Sequence, residues 1–215
     1  MSASTYDLLV VGGTPAGVAA AVTAARAGLR VLLTQFNRHI GGMMTNGLMQ
    51  WDAHYAGLRA PFFSEVLARI AEYYRVTDGE ASRNYQLASY SKGKYPLGVV
   101  EPKVAEGIFL ALVTAEPTLT LAFDEHPSAA RVAERLIVAV TLRHCATGAT
   151  REVSADAFVD ATYEGDLLAL AGAPYRVGRE GRDEYGEPHA GQIFTSLLRQ
   201  RAPAEPLQGL LALDP

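Results

Sequence analysis

Residues 8–21 read LLVVGGTPAGVAAA: an apolar run, a glycine-rich turn, then a stretch of alanine. No other feature restricts the fold as much. A short apolar run ending in glycines is the pattern of a strand buried on both faces, as in a parallel sheet. Pro15 suits a first helical turn, where its missing N–H costs nothing. The breaker-free alanines carry that helix to Arg26, and Gly28 stops it. Arg30–Thr34, RVLLT, is the next strand. Together they predict a β-α-β unit with a right-handed crossover, and so an α/β fold with helices flanking a parallel sheet.

Such a turn suits phosphate for two reasons. A helix start offers unpaired N–H groups and the positive end of a dipole, and glycine lets the backbone come close to a ligand. Gly12 supports the tight turn, and Gly17 lets helix and strand pack closely. Thr14 stands where the G-x-G-x-x-G pattern has its central glycine. Its side chain either points away or bonds a phosphate oxygen through its hydroxyl. The strand–turn–helix–strand context supports nucleotide binding. At the end of the second strand, where an acid normally takes the ribose hydroxyls, stands Gln35. A neutral bond in place of a charged one loses about 1 kcal/mol, which weakens binding without excluding it.

Downstream comes a loop from His39 to Asp52 rich in Gly, Met and Asn. Phe62, Phe63, Val66, Leu67, Ile70, Tyr73 and Tyr74 recur at helical spacing after Pro61. Asp78–Gly98 is polar and is expected to form a lid-like loop. A helix follows from Pro102, with Val104, Ile108 and Leu112 on one stripe, and then a strand at Leu119–Phe123. Leu136–Arg143 and Arg151–Ser154 flank Ala146-Thr147-Gly148 as a small antiparallel β-hairpin. Ala157–Ala161 is a further strand, and Asp166–Ala171 a helix ended by Gly172. The tail, PLQGLLALDP, offers no final strand.

Bulk properties exclude several classes. The 215 residues, 49% hydrophobic and 20% charged, have the composition of an ordinary globular protein. A net charge of −4 gives no footprint for nucleic acid or anionic lipid. No window has the roughly 18 consecutive apolar residues of a membrane span. The start, MSASTYD, has no basic or apolar leader, which favours a cytoplasmic protein. Cys145 is the one cysteine, so no internal disulfide forms, and none of the five histidines has metal-ligand spacing. No metal is expected.

Further motifs bring a resemblance into view. After GGTPAG come IGGMMTNG (40–47), DATYEGDL (160–167) and YGEPHAG (185–191). Their order resembles the bacterial FAD-dependent oxidoreductases, whose flavin domain is of the glutathione-reductase type. The resemblance runs from Tyr6 to about Gln192. It implies a Rossmann-like FAD-binding domain, with Gly12, Gly13, Thr14, Pro15, Ala16 and Gly17 around the pyrophosphate. Gln35 would face the ribose, and Arg38, Gly41, Gly42 and Met43 the middle of the cofactor. Ala161 and Thr162 match the alanine–threonine pair near the fourth parallel strand, with Tyr163 where relatives have glycine. Gly165 and Asp166 are weaker candidates.

The implied cofactor is FAD, and the implied reaction is hydride transfer from a small-molecule substrate to flavin N5. Neither the substrate nor a catalytic base can be named. The long excursion after the first β-α-β unit, with no second glycine turn for nicotinamide, also favours FAD. The alternatives are an NAD(P)-dependent Rossmann enzyme and a non-catalytic nucleotide-binding or interaction remnant. The expected organisation is an FAD-binding domain over 1–175, with its excursion at about 43–100, and the start of a substrate or cap region over 176–215. Because such families are longer, the chain is expected to be an N-terminal fragment, incomplete at the C-terminus and weakly active or inactive alone. His39 and His189, Met43, Met44, Met49 and Trp51, and the carboxylates Asp160, Glu164 and Asp166 have ordinary structural explanations. So have Arg176, Arg179 and Arg182 among their acidic neighbours.

Overall fold

The computed structural model describes residues 6–47, 49, 51, 59–89, 99–178, 180–188, 190, 192–194 and 210–212. Strand β1 (Tyr6–Val11) leads through the glycine turn into helix α1 (Pro15–Arg26) and strand β2 (Val31–Gln35). A 3-10 turn at Gly42–Met44 precedes α2 (Pro61–Thr77), α3 (Arg83–Ala88) and α4 (Pro102–Thr114). Strand β3 (Leu119–Phe123) is followed by β4 (Glu125–Ala133), β5 (Leu136–His144), β6 (Thr150–Val153) and β7 (Ala155–Asp160), then α5 (Asp166–Leu170).

The parallel sheet has the order β3-β2-β1-β7. Leu9 lies opposite Leu32 on one side and Phe158 on the other, so β1 is paired along both edges. Side chains alternate across a strand. Leu8, Val10, Val31 and Leu33 pack with α1, α2 and α4, while Leu9, Val11 and Leu32 pack beneath the antiparallel sheet β4-β5-β6. That is why the runs Leu8–Val11 in β1 and Val31–Leu33 in β2 are apolar throughout rather than alternating. Burying each such leucine contributes roughly 1.5–3 kcal/mol.

On the helical side, α1 is tied to its neighbours through Arg26. Its guanidinium donates to Glu65 at 2.6 and 3.1 Å and to Glu116 at 2.7 Å, and Arg69 donates to the same Glu65. Arg26 holds the Glu65 carboxyl down at about 2, mainly by these bonds, with partial burial opposing and Arg69 adding to the effect.

Two expectations are corrected here. The antiparallel element is a three-stranded sheet, because β4 precedes the predicted hairpin and pairs with β5 from Glu125 to Ala133. The β4–β5 turn is Glu134-Arg135, both residues at positive φ (50° and 67°), a conformation that glycine or asparagine usually signals. Of the expected loop Asp78–Gly98, residues 90–98 lie outside the described residues, and the rest is not all loop, since Ser82 caps α3 by accepting the Tyr85 N–H at 3.1 Å.

The chain divides into two compact units, Met1–Ala173 and Pro174–Pro215. The second contains α6 (Arg182–Tyr185) and a pair of antiparallel strands, β8 (Gln192–Phe194) and β9 (Leu210–Ala212). The tail therefore does supply a strand, β9, which pairs with β8. Arg176 pairs with Glu184, and its guanidinium lies 5.4 Å from the centre of the Tyr185 ring.

Candidate functional site

A cavity of about 500 Å³ opens at the carboxyl ends of β1 and β2. It lies where the strand order reverses about β1, the place where open α/β sheets hold ligands. Its floor is Val11, Gly12, Thr14 and Thr34, one wall is Glu125, His126 and Pro127 of β4, and Thr162, Tyr163, Glu164 and Asp166 contribute the other side.

The glycine turn is built by tight backbone packing. Gly12 has φ +105°, and a Cβ there would sit 2.6 Å from the Ala161 carbonyl oxygen. A Cβ on Gly17 would overlap the Gly12 carbonyl oxygen itself. Thr14 caps α1: its hydroxyl accepts the Gly17 N–H at 3.2 Å and donates to the Ala161 carbonyl at 2.8 Å. Of the two possibilities for Thr14, the structure shows the side chain turned inward. The Gly12 N–H donates to the Thr34 carbonyl and the Gly13 N–H to Gln35. Pro15 has no N–H. Among the described residues, the N–H groups of Thr14 and Ala16 are therefore the ones at this helix start left for an anion.

The remaining expected residues differ in where they lie. Gly42 and Thr162 line the cavity with Gly12, Thr14, Gln35 and Asp166. Gly13, Gly17, Gly41 and Ala161 are buried behind the wall and shape it, and Pro15 and Ala16 begin α1. Arg38 and Met43 are exposed, Arg38 lying 3.7 Å from Asp124. Gly165 has φ +75° and begins α5. The Thr162 hydroxyl donates to Asp160 at 2.7 Å and accepts the Gly165 and Asp166 N–H groups at 3.0 and 2.9 Å. The second Asp160 oxygen accepts the Leu168 N–H at 2.8 Å, so this carboxylate organises the β7–α5 loop. Tyr163 reaches across to the 3-10 turn, its hydroxyl accepting the Met43 N–H at 2.8 Å, and a Cβ on Gly42 would run into that hydroxyl. Gln35 is buried, its amide bonded to Gly13, Asn37 and the His39 carbonyl.

Thr34 is a cavity residue that no motif in the sequence marks. It is fully buried at the cavity floor, and its hydroxyl is the one buried side-chain polar atom among the described residues without a partner. Its strand pattern alone marks it as a core residue. Glu125, His126, Arg143 and Cys145 also line the cavity, because β4 and β5 arch over the sheet. His39 instead contacts Glu106 at 3.0 Å, and His189 lies outside the described residues. Trp51 is buried and donates to the Met44 carbonyl at 3.1 Å, whereas Met43 and Met49 are exposed. Among the described residues, no group of three or more His, Cys, Asp or Glu could hold a metal, and no helix is long and apolar enough to cross a membrane.

The family model for FAD dependent oxidoreductases matches residues 7–206. The chain belongs to that family. Its cofactor is FAD. The site fits the group: a glycine cradle, two unpaired N–H groups at a helix start, and an orphaned hydroxyl facing a cavity. Similar folds are seen in the glycerol-3-phosphate dehydrogenase of Bacillus halodurans, solved with FAD (14% identity, TM-score 0.53, 80% of this chain and 37% of that one). The flavin-dependent monooxygenase PieE, solved with FAD and substrate, is 17% identical, with TM-score 0.54 over 82% of this chain and 33% of that one. A geranylgeranyl bacteriochlorophyll reductase-like protein of Thermoplasma acidophilum is 20% identical, with TM-score 0.54 over 82% and 44%. These likenesses are of fold, and this chain spans about two fifths or less of PieE and of the dehydrogenase. No curated protein matches the sequence.

Proposed function

We propose that this chain holds FAD with the diphosphate at the start of α1, and that the holoprotein oxidises an organic small molecule. The observation that carries the reading is the Gly12–Gly17 cradle, opening a cavity above an unpartnered Thr34 hydroxyl. In this arrangement the Thr14 and Ala16 N–H groups donate to phosphate oxygens, assisted by the helix dipole. The Gly42 backbone, Arg38 and Met43 border the middle of the cofactor. The Thr34 hydroxyl donates to, or accepts from, a ligand atom on the cavity floor. Asp166 and Glu164 face hydroxyl groups, since a carboxylate beside a diphosphate is repelled. When bound, FAD supplies a hydride acceptor at N5, and the protein supplies orientation and field. The organisation that goes with this reading is an FAD-binding domain over 1–175 and the start of a substrate-covering region over 176–215.

The chain spans 37% of the dehydrogenase and 33% of the monooxygenase, and in this reading it binds FAD reversibly on its own and turns over little. The test is a visible spectrum of the purified chain before and after FAD addition and desalting, with thermal unfolding in FAD, NAD and NADP. FAD at 100 times its dissociation constant should add about 2.7 kcal/mol of stability, with no comparable gain from the others. Stabilisation by NAD or NADP alone would overturn the reading. Stoichiometric flavin surviving desalting would overturn only its reversible-binding part.

A further inference from the structure

The geometry points to Gln35 as a positioning residue: its amide locks the glycine turn after β1 to the glycine turn after β2. Its role in cofactor binding, which rests on the reading above, is thus to shape the cradle and not to hold the ribose. Gln35 ends β2 and is buried. Its Oε1 accepts the Gly13 N–H at 2.9 Å. Its Nε2 donates to the His39 carbonyl at 2.8 Å and to Asn37 Oδ1 at 3.0 Å. Asn37 Oδ1 also accepts the His39 N–H at 2.9 Å, which identifies that atom as an oxygen and fixes which end of the Gln35 amide donates. The Gly13 peptide is thereby gripped on both sides, since its own carbonyl accepts the Gly41 N–H at 2.7 Å.

The bonding demands both a donor and an acceptor on one planar group. Only an amide side chain of this length provides two N–H donors beside a carbonyl. A carboxylate would set acceptor against acceptor at His39 and Asn37. The same substitution would restore the acid that holds a ribose in the family pattern. The two roles therefore make opposite predictions for Gln35→Glu.

The experiment compares the full chain with Gln35→Glu and the neutral, similarly shaped Gln35→Met. FAD affinity is measured by fluorescence titration, and amide hydrogen exchange is resolved at Gly13 and Gly41 without ligand. The clamp predicts that Gln35→Glu weakens FAD by about tenfold, the loss of roughly one well-made hydrogen bond. It also predicts about tenfold faster exchange at Gly13 in Gln35→Met, which has no acceptor for that N–H, while amides in the middle of β1 change far less. Equal or tighter FAD binding by Gln35→Glu overturns the proposal. So does unchanged exchange at Gly13 in Gln35→Met, or a uniform rise across the sheet, which marks general destabilisation. If the parent chain binds no FAD, the functional reading fails, and the exchange data still decide the clamp. Should Gln35→Glu not fold, Gln35→Met carries the exchange test.

Discussion

Thr14 fits a position associated with glycine because of where its hydroxyl goes. Turned inward, it closes one N–H of α1 and holds the end of β7, while the backbone outside it stays open to a ligand. Thr14→Ala should therefore cost about 1–2 kcal/mol in urea unfolding, the usual range for a lost N-cap, and Thr14→Ser should keep most of it. Gly17 is less forgiving, because the atom a Cβ would meet is backbone. Gly17→Ala should abolish cooperative unfolding or cost several kcal/mol, scored by the same titration. Thr34 separates stability from function. Removing a buried, unpartnered hydroxyl should stabilise the ligand-free chain by about 1 kcal/mol, so Thr34→Val should unfold later in urea yet bind FAD several-fold more weakly. Equal FAD affinity would show that the hydroxyl faces no ligand.

At the level of elements, long or strongly apolar segments were legible in the sequence and short polar ones were not. β1, α1, β2, α4 and β3 follow from apolar pattern, Pro at a helix start and Gly at a helix end. β4 does not, because Pro127 interrupts it, its register slips between Pro127 and Ala129, and its turn carries Glu-Arg. Pro is tolerated there because β4 is an edge strand with a bulge. Missing β4 also concealed Glu125 and His126 as cavity residues. The glycines of the site were legible through their spacing, whereas Thr34 and the Gln35 contacts depend on where side chains meet in three dimensions. One element-level prediction concerns acid. The Glu65 carboxyl is lowered from 4.5 to about 2 by Arg26, so its stabilisation is complete above pH 4.5 and is lost as pH falls through about 2. Arg26 is 39% exposed, and the effect is held to about 1 kcal/mol by solvent screening. Stability measured from pH 5 to pH 2 should fall less steeply in Glu65→Gln than in the parent chain.

For the molecule as a whole, the order β3-β2-β1-β7 has a consequence in time. The glycine turn ends at Gly17, yet the bond between Thr14 and Ala161 joins residues 147 apart in sequence. At ribosomal speeds of roughly 5–20 residues per second, some 7–30 s pass before that partner exists. Throughout this interval β1, apolar on both faces, has one edge without its strand. The nascent chain is in this respect open to edge-to-edge association, and the glycine turn is complete only once β7 has been made. How long it is exposed is set by the place of β7 in the gene, and no gain in final stability would shorten it.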